Sequence, residues 1–225
     1  MRILYAGYRP WARQAYRHIL GEHQHRHQLH FVSDKEELRL ALDNFEYDAV
    51  FLVGWSWIIP PEVCEHNYMV GVHPSDLPNY AGGTPLQHQI LEGVLDSQCS
   101  LFRITPELDG GGIVGQAPLS LRGNMSDVFS SLADATVRLF SDFTHAWEVG
   151  GGPPPERMQV HTEPPRKRLK PRDSELTEHL FGKLNARQLY DFIRCREDPY
   201  PNVYVKDESG TLKFKLVDFE GPDDG

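Results

Sequence analysis

The sequence predicts an α/β fold with a largely parallel sheet, and three observations predict it. Apolar runs of strand length alternate with segments of helical spacing from the N-terminus to about residue 148. One run, YDAVFLVGW at 47–55, is apolar almost throughout and rich in β-branched side chains, as a strand covered on both faces must be. Helix-start signals, Asp34 and the Thr84–Pro85 pair, stand where two of the periodic segments begin. Strand–helix–strand order lays strands parallel and puts helices on the sheet faces.

The elements follow in order. RILYAGY (2–8) reads as a first strand ending at glycine, and RPWARQAYRHILGEH (9–23) as a helix with Trp11, Ala15 and Ile19 on one side. HQLHFVS (27–33) is a second strand, and DKEELRLALDNF (34–45) a helix capped by Asp34. The buried run at 47–55 is the third strand, and YMVGVHPS (68–75) is a fourth, ending at His73. GTPLQHQILEGV (83–94) is a helix with Thr84 as cap and Pro85 in its first position. CSLFRIT (99–105) and IVGQAPLSL (113–121) are strands, and residues 125–150 form a long helix. GGGPPPERMQVHTEPP (150–165) breaks the pattern as a linker or a wrapped surface segment. NARQLYDFIRCRED (185–198) is a helix, followed by two short strands, PNVYVKD and LKFKLVDFE, joined through ESG. The expected division is a main domain at 1–148, a linker with a basic segment at 149–175, and an appendage at 176–225. The appendage is too short for a core of its own, so it is expected to rest on the main domain.

Net charge is −9 and the pI is near 5.6, which argues against a nucleic-acid partner, because phosphate binding needs clustered positive charge. No apolar run is long enough to span a bilayer, and MRILYAGY is too short and too mixed for a signal peptide. Cys64, Cys99 and Cys195 are few, odd in number and without zinc spacing, as in a reduced, cytoplasmic chain. A homodimer is left open. HQHRHQLH (23–30) gathers His23, His25, His27 and His30, but i, i+2 spacing suits no helix face, so a solvated turn is expected and no metal. RKRLK (166–170) is a local exception to the acidic balance and reads as a solvated basic turn or a phosphate-binding cluster.

Ligands of open α/β sheets lie beyond the carboxyl ends of the strands, which directs attention to Gly7–Pro10, Trp55–Ile58, His73–Asp76 and Asp109. Pro74 holds the backbone of His73 extended, and three glycines after Asp109 let the chain come close to another group. An aspartate beside a histidine fixes its tautomer and stabilises its charged form. Each residue by itself reads equally as ordinary structure: a hydrogen-bonded histidine at a strand end and a turn before a strand.

Taken together, FLVGWSWIIPPEV, then GVHPSDLPNYAGGTPLQHQILEG, then ITPELDGGGIVGQAPLSL resemble the folate-dependent formyltransferases in order and spacing. That superfamily shares Asn-x-His-x-Ser-x-Leu-Pro followed by Leu-Asp-x-Gly, and the resemblance covers about residues 1–145. It implies a Rossmann-like formyltransferase fold, with a small helix and β-hairpin appended. It also implies transfer of a formyl group from N10-formyltetrahydrofolate to an amine, without a metal. By resemblance, His73 and Asp109 match the catalytic pair. Trp55, Ser56, Trp57 and Ile58, with Ile104, Pro106 and Leu108, match the loops that cradle the folate. Tyr8, Arg9, Ser75, Asn79 and Gly82 are the candidates for holding the acceptor, with Trp11 a further aromatic to stack on a base. The chain departs from the pattern at Gly71, where the family has the asparagine whose amide polarises the formyl oxygen. The missing amide's work is expected to fall to His73, to a backbone donor or a water for which glycine leaves room, and to Asn79 as a third source.

Within the superfamily, the length and acidic balance are expected to set this chain apart from the tRNA branch with its basic barrel, and AGYRPWA lacks the phosphate loop of the glycinamide ribonucleotide branch. Small amines remain. A nucleotide-linked amino sugar for bacterial surface glycan synthesis, such as lipopolysaccharide, is the expected acceptor, because the tail RQLYDFIRCREDPYPNVYV and the segment KPRDSEL resemble the sugar branch. The alternatives are hydroxyornithine, a formyltetrahydrofolate hydrolase, and a folate or sugar-nucleotide binding protein without catalysis.

Overall fold

Six strands form one sheet in the computed structural model, which describes residues 1–160 and 162–221. They are β1 (Arg2–Ala6), β2 (Gln28–Val32), β3 (Ala49–Val53), β4 (Met69–His73), β5 (Asp96–Arg103) and β6 (Ile113–Ser120), in the spatial order β2-β1-β3-β4-β5-β6. The first four are parallel, and β5 and β6 run antiparallel to their neighbours. Every residue of β3 and β4 is buried, as the unbroken apolar run requires. Burying one such large apolar side chain stabilises the fold by about 1.5–3 kcal/mol.

Helices cover both faces. Trp11, Ala12 and Ile19 of α1 (Pro10–His23), Leu86 and Ile90 of α4 (Pro85–Leu91) and the inner side of α5 (Met125–Gly150) share one core with Val70, Val72 and Leu101. Leu38 and Ala41 of α2 (Lys35–Asn44) and Val63 of α3 (Pro61–His66) lie on the other face with Leu52 and Met69. Asp34 caps α2 by accepting from the Glu37 N–H, and Asn124 closes a capping box on α5.

Two expectations need correction, and one helix is added. Thr84 precedes α4, but at φ 53° its hydroxyl points away from the helix and accepts from Leu169 N at 3.2 Å. Residues 61–66, for which the sequence pattern predicts no element, form α3, with Pro61 in the first turn where a missing N–H costs nothing. The histidine-rich turn is not solvated throughout. His23 and His27 are 8% and 5% exposed, with stacked rings 5.7 Å apart, and burial lowers both below the ordinary imidazole value.

Residues 154–160 and 162–169 pass the start of β6 and the loop at 81–84. Arg157 exchanges both backbone hydrogen bonds with Ile113 at 2.8 Å. Arg166 donates to Ala81 O at 2.7 Å and accepts from Gly83 N at 2.8 Å. Beyond it lie a 3-10 turn (Pro171–Ser174), α6 (Glu178–Phe181), α7 (Ala186–Arg194) and a hairpin of β7 (Val203–Asp207) and β8 (Gly210–Phe214). This appendage shares an apolar cluster with Leu91, and Gln87 donates to Cys195 O at 3.0 Å. Its polar anchor is a buried charge cluster. Arg194, fully buried, donates to Asp191, Leu121 O and Gly123 O at 2.7–2.9 Å, and Glu197 accepts from Met125 N at the start of α5 at 2.9 Å. Among the described residues, no helix is long and apolar enough to cross a membrane.

Candidate active site

His73 closes β4, with its ring on the same sheet face as Gly71 and Met69 because strand side chains alternate. It is 6% exposed and stands edge-on to Phe102, ring centres 6.2 Å apart. Its Nε2 lies 3.1 Å from Tyr80 O. A carbonyl only accepts, so Nε2 carries the proton, and Nδ1 presents a lone pair in the neutral ring. Nδ1 faces Asp109 Oδ2 at 3.7 Å. That is beyond hydrogen-bond range, but close enough for the carboxylate to stabilise a positive charge on the ring. Tyr80 is held for its part. Its hydroxyl donates to Glu92 at 2.8 Å, Arg166 lies over its ring, and burial and the carboxylate push the phenol up to about 12.

Asp109 arrives by a route that strand ends do not predict. Because β5 is antiparallel, the loop after it starts beside Met69, where Ile104 N donates to Met69 O, and folds back along the sheet face to reach His73. Asp109 has φ 50°, a left-handed conformation costing an L-residue roughly 1 kcal/mol. Its Oδ2 accepts from Gly82 N at 2.8 Å. Gln159 donates to Asp109 O at 2.9 Å and Gly111 O at 2.6 Å. Gly111 has no room for a side chain, since a Cβ there would stand 1.8 Å from Arg103 O.

A polar chain crosses the sheet next to the histidine. Ser100, paired with His73 in register, donates to Ser75 O at 2.7 Å. Gln116 donates to Asp76 Oδ1 at 2.7 Å and Ser100 Oγ at 3.0 Å, and Arg157 donates to the Gln116 carbonyl at 2.8 Å. Gln116 has a weak sequence signal, an amide inside an otherwise apolar strand. Tyr80, Ser100 and Gln159 have none, because only the tertiary fold brings them here.

The other candidates fall into groups. Ile104 and Trp55 both border the apolar cluster of Leu52 and Met69. Trp57 packs on Trp55 and Tyr8, each ring pair 4.7 Å apart. Tyr8 donates to Ser56 at 2.8 Å, and Arg9 lies over the Tyr8 ring. Ile58 and Leu108 are exposed at 93% and 62%, Pro106 is exposed, and the Trp55 Nε1 is buried without a partner. Asn79 is exposed and Gly82 half-buried. Two candidates do not stand free. Ser75 is fully buried, with its hydroxyl donated to Asn79 O at 2.7 Å, and Trp11 lies in the core at 8% exposure. Neither offers a face to a ligand.

Gly71 is explained by its neighbours. A Cβ there would lie 2.6 Å from Ile104 Cδ1 and 2.9 Å from Phe102 Cε1. The place left by the missing amide is thus filled by apolar side chains, which corrects the expectation of room for a water. Gly71→Asn is accordingly expected to displace Phe102 and with it the ring against His73. We expect it to lose about 1–3 kcal/mol of stability, the usual cost of overpacking, and to lower turnover. Denaturant unfolding and steady-state rates check this, and a marked gain in rate would contradict it.

Among the described residues, no group of three or more His, Cys, Asp or Glu is placed to hold a metal ion. The three thiols are buried, and burial raises their pKa, that of Cys195 to about 11.

Known proteins agree with this architecture. The solved structure of a methionyl-tRNA formyltransferase from Clostridium thermocellum superposes with a TM-score of 0.84 at 25% identity, covering 98% of this chain and 94% of that one. A sugar N-formyltransferase from a Shewanella species shares the fold at a TM-score of 0.74 and 13% identity, covering 99% of each chain. The methionyl-tRNA formyltransferase of Wolbachia sp. subsp. Drosophila simulans (strain wRi) is 31% identical over 200 residues, 85% of this chain and 60% of its own length. The chain spans about 60% of the length of the curated relatives it matches. The sequence pattern of the formyl transferase family matches residues 18–136, more than half of the chain and the stretch that carries both His73 and Asp109. On that match, the chain belongs to the formyl transferase family, within the folate-dependent formyltransferase superfamily.

Proposed function

We propose that this chain transfers a formyl group from N10-formyltetrahydrofolate to the amine of a small acceptor, a nucleotide-linked amino sugar. The observation that carries the reading is the pair of buried His73 and half-buried Asp109, Nδ1 to Oδ2 at 3.7 Å, set in the family's motif order. Bound N10-formyltetrahydrofolate supplies the formyl carbon. As the new C–N bond forms and the bond from the formyl carbon to N10 breaks, the acceptor nitrogen must lose a proton and N10 must gain one. His73 Nδ1 is unprotonated when Nε2 donates to Tyr80, so it can take that proton, and Asp109 stabilises the resulting charge. Residues Trp55–Ile58 with Ile104, Pro106 and Leu108 suit a flat ring with an amide edge. They present three exposed apolar side chains, Ile58, Pro106 and Leu108, beside the Trp55–Trp57 ring pair. Tyr8, Arg9, Asn79 and Gly82 are assigned to the acceptor side. Residues 1–148 then form the catalytic unit, 149–175 the strap across it, and 176–225 the appendage.

An amino sugar is favoured by the acidic chain and by the fold shared with a sugar N-formyltransferase. A second reading, methionyl-tRNA as acceptor, is favoured by the relatives bearing that name. Incubation with N10-formyltetrahydrofolate and a panel of nucleotide-linked amino sugars, hydroxyornithine and charged tRNA separates them by which mixture releases tetrahydrofolate. Release without any amine identifies a hydrolase, and binding without release a non-catalytic protein. At moderate salt, tRNA is expected not to bind, because a net charge of −9 opposes counterion-release binding. Tight, salt-sensitive tRNA binding would move the assignment to the second reading.

A further inference from the structure

We propose that Gln159, on the strap and far in sequence from either motif, is a positioning residue that holds Asp109 in place opposite His73. Both N–H groups of one side-chain amide are used on this turn, one on Asp109 O at 2.9 Å and one on Gly111 O at 2.6 Å. That assignment also fixes the orientation of the amide, since neither carbonyl can donate. The two carbonyls it joins bracket the stretch where the chain is least free to relax. Asp109 sits at φ 50°, and Gly111 is pressed against Arg103 O. Without the amide, two converging carbonyl dipoles would face each other with no donor between them. The turn would open, and the carboxylate would swing with it. The strap is fixed close by, through the paired backbone bonds of Arg157 with Ile113, so Gln159 is itself braced.

The Asp109 side chain reports its own position through Gly82, whose N–H it accepts at 2.8 Å. That bond gives a measurement independent of turnover. Gln159→Leu keeps the bulk and removes both donors. Gln159→Glu keeps the shape and sets a carboxylate against two carbonyls. In each full-length variant, amide hydrogen exchange of Gly82 is expected to quicken by about tenfold or more, while core amides such as Val70 keep their protection. The catalytic arm of the test rests on the formyl-transfer reading. There, kcat is expected to fall by about ten- to a hundredfold, the scale for a catalytic group displaced by about 1 Å, with KM for the formyl donor little changed.

Unchanged Gly82 exchange and unchanged kcat in both variants would overturn the proposal. So would a loss of protection that runs equally through the core, since Gln159 would then support the fold as a whole. Wild-type turnover is the control that separates the two ideas. If no amine in the panel makes the wild type release tetrahydrofolate, the formyl-transfer reading fails, and the Gly82 exchange still decides what Gln159 does.

Discussion

His73→Ala is expected to lower turnover by about a hundred- to ten-thousandfold, the range associated with a positioned general acid–base group. The imidazole meets Tyr80 O on one side and Asp109 on the other. Alanine leaves the proton of the attacking amine without its acceptor and leaves Asp109 without the charge it would stabilise. Asp109→Asn is expected to fall in the same range. An asparagine oxygen can still accept from Gly82 N, so the turn survives while the negative charge is lost. Both variants should fold, because neither side chain contributes to the apolar clusters of the sheet. Near-UV circular dichroism and a thermal melt check the fold, and single-turnover rates with the best amine check the chemistry. If either variant retained most of the rate, that residue would have no part in the proton transfer.

Arg194→Met is expected to destabilise the protein by about 3–5 kcal/mol, the usual result of removing one partner from a buried ionic cluster. The guanidinium is fully buried and bridges three acceptors: Asp191, Leu121 O and Gly123 O. Methionine fills much of the volume but donates nothing, so two backbone carbonyls lose their donor. Asp191 keeps only the half-exposed Arg187 at 3.0 Å. Arg194→Lys is expected to recover only part of the loss, since an ammonium cannot reproduce the planar fork. Urea unfolding followed by fluorescence measures both. A loss below about 1 kcal/mol for the methionine variant would place the cluster with surface ion pairs, whose worth is of that order.

The parallel half of the sheet was legible in the sequence because its determinants are local. Unbroken apolar runs mark β3 and β4, and Asp34 marks the start of α2. The direction of β5 was not legible. An apolar run reads the same whichever way its strand points, and the partner that decides it is distant in the chain. Thr84 misled for a related reason: the residue type fits a cap, but the tertiary contact with Leu169 takes the hydroxyl. His73 and Asp109 could be picked out by their motifs, and the structure sets them 3.7 Å apart. Gly71 stood out as a departure, yet its reason lies in Phe102 and Ile104, which only the fold brings against it. Gln116, Tyr80 and Gln159 were missed because single polar residues acquire meaning only from what surrounds them.

The strap also sets an order of assembly. Gln159 is 50 residues from Asp109, and Leu169 is 85 from Thr84. Strands β1 to β4 and the helices between them lie wholly within the first 73 residues, so every parallel pair can close before the strap is made. As the chain emerges during synthesis, these strands can pair while the strap is still inside the ribosome, because translation runs at only about 5–20 residues per second. The histidine is then seated in its strand well before the aspartate's turn is fastened. Chemical competence would come late to this chain, so a nascent protein already folded in most of its sheet would remain inert until its downstream belt is drawn across.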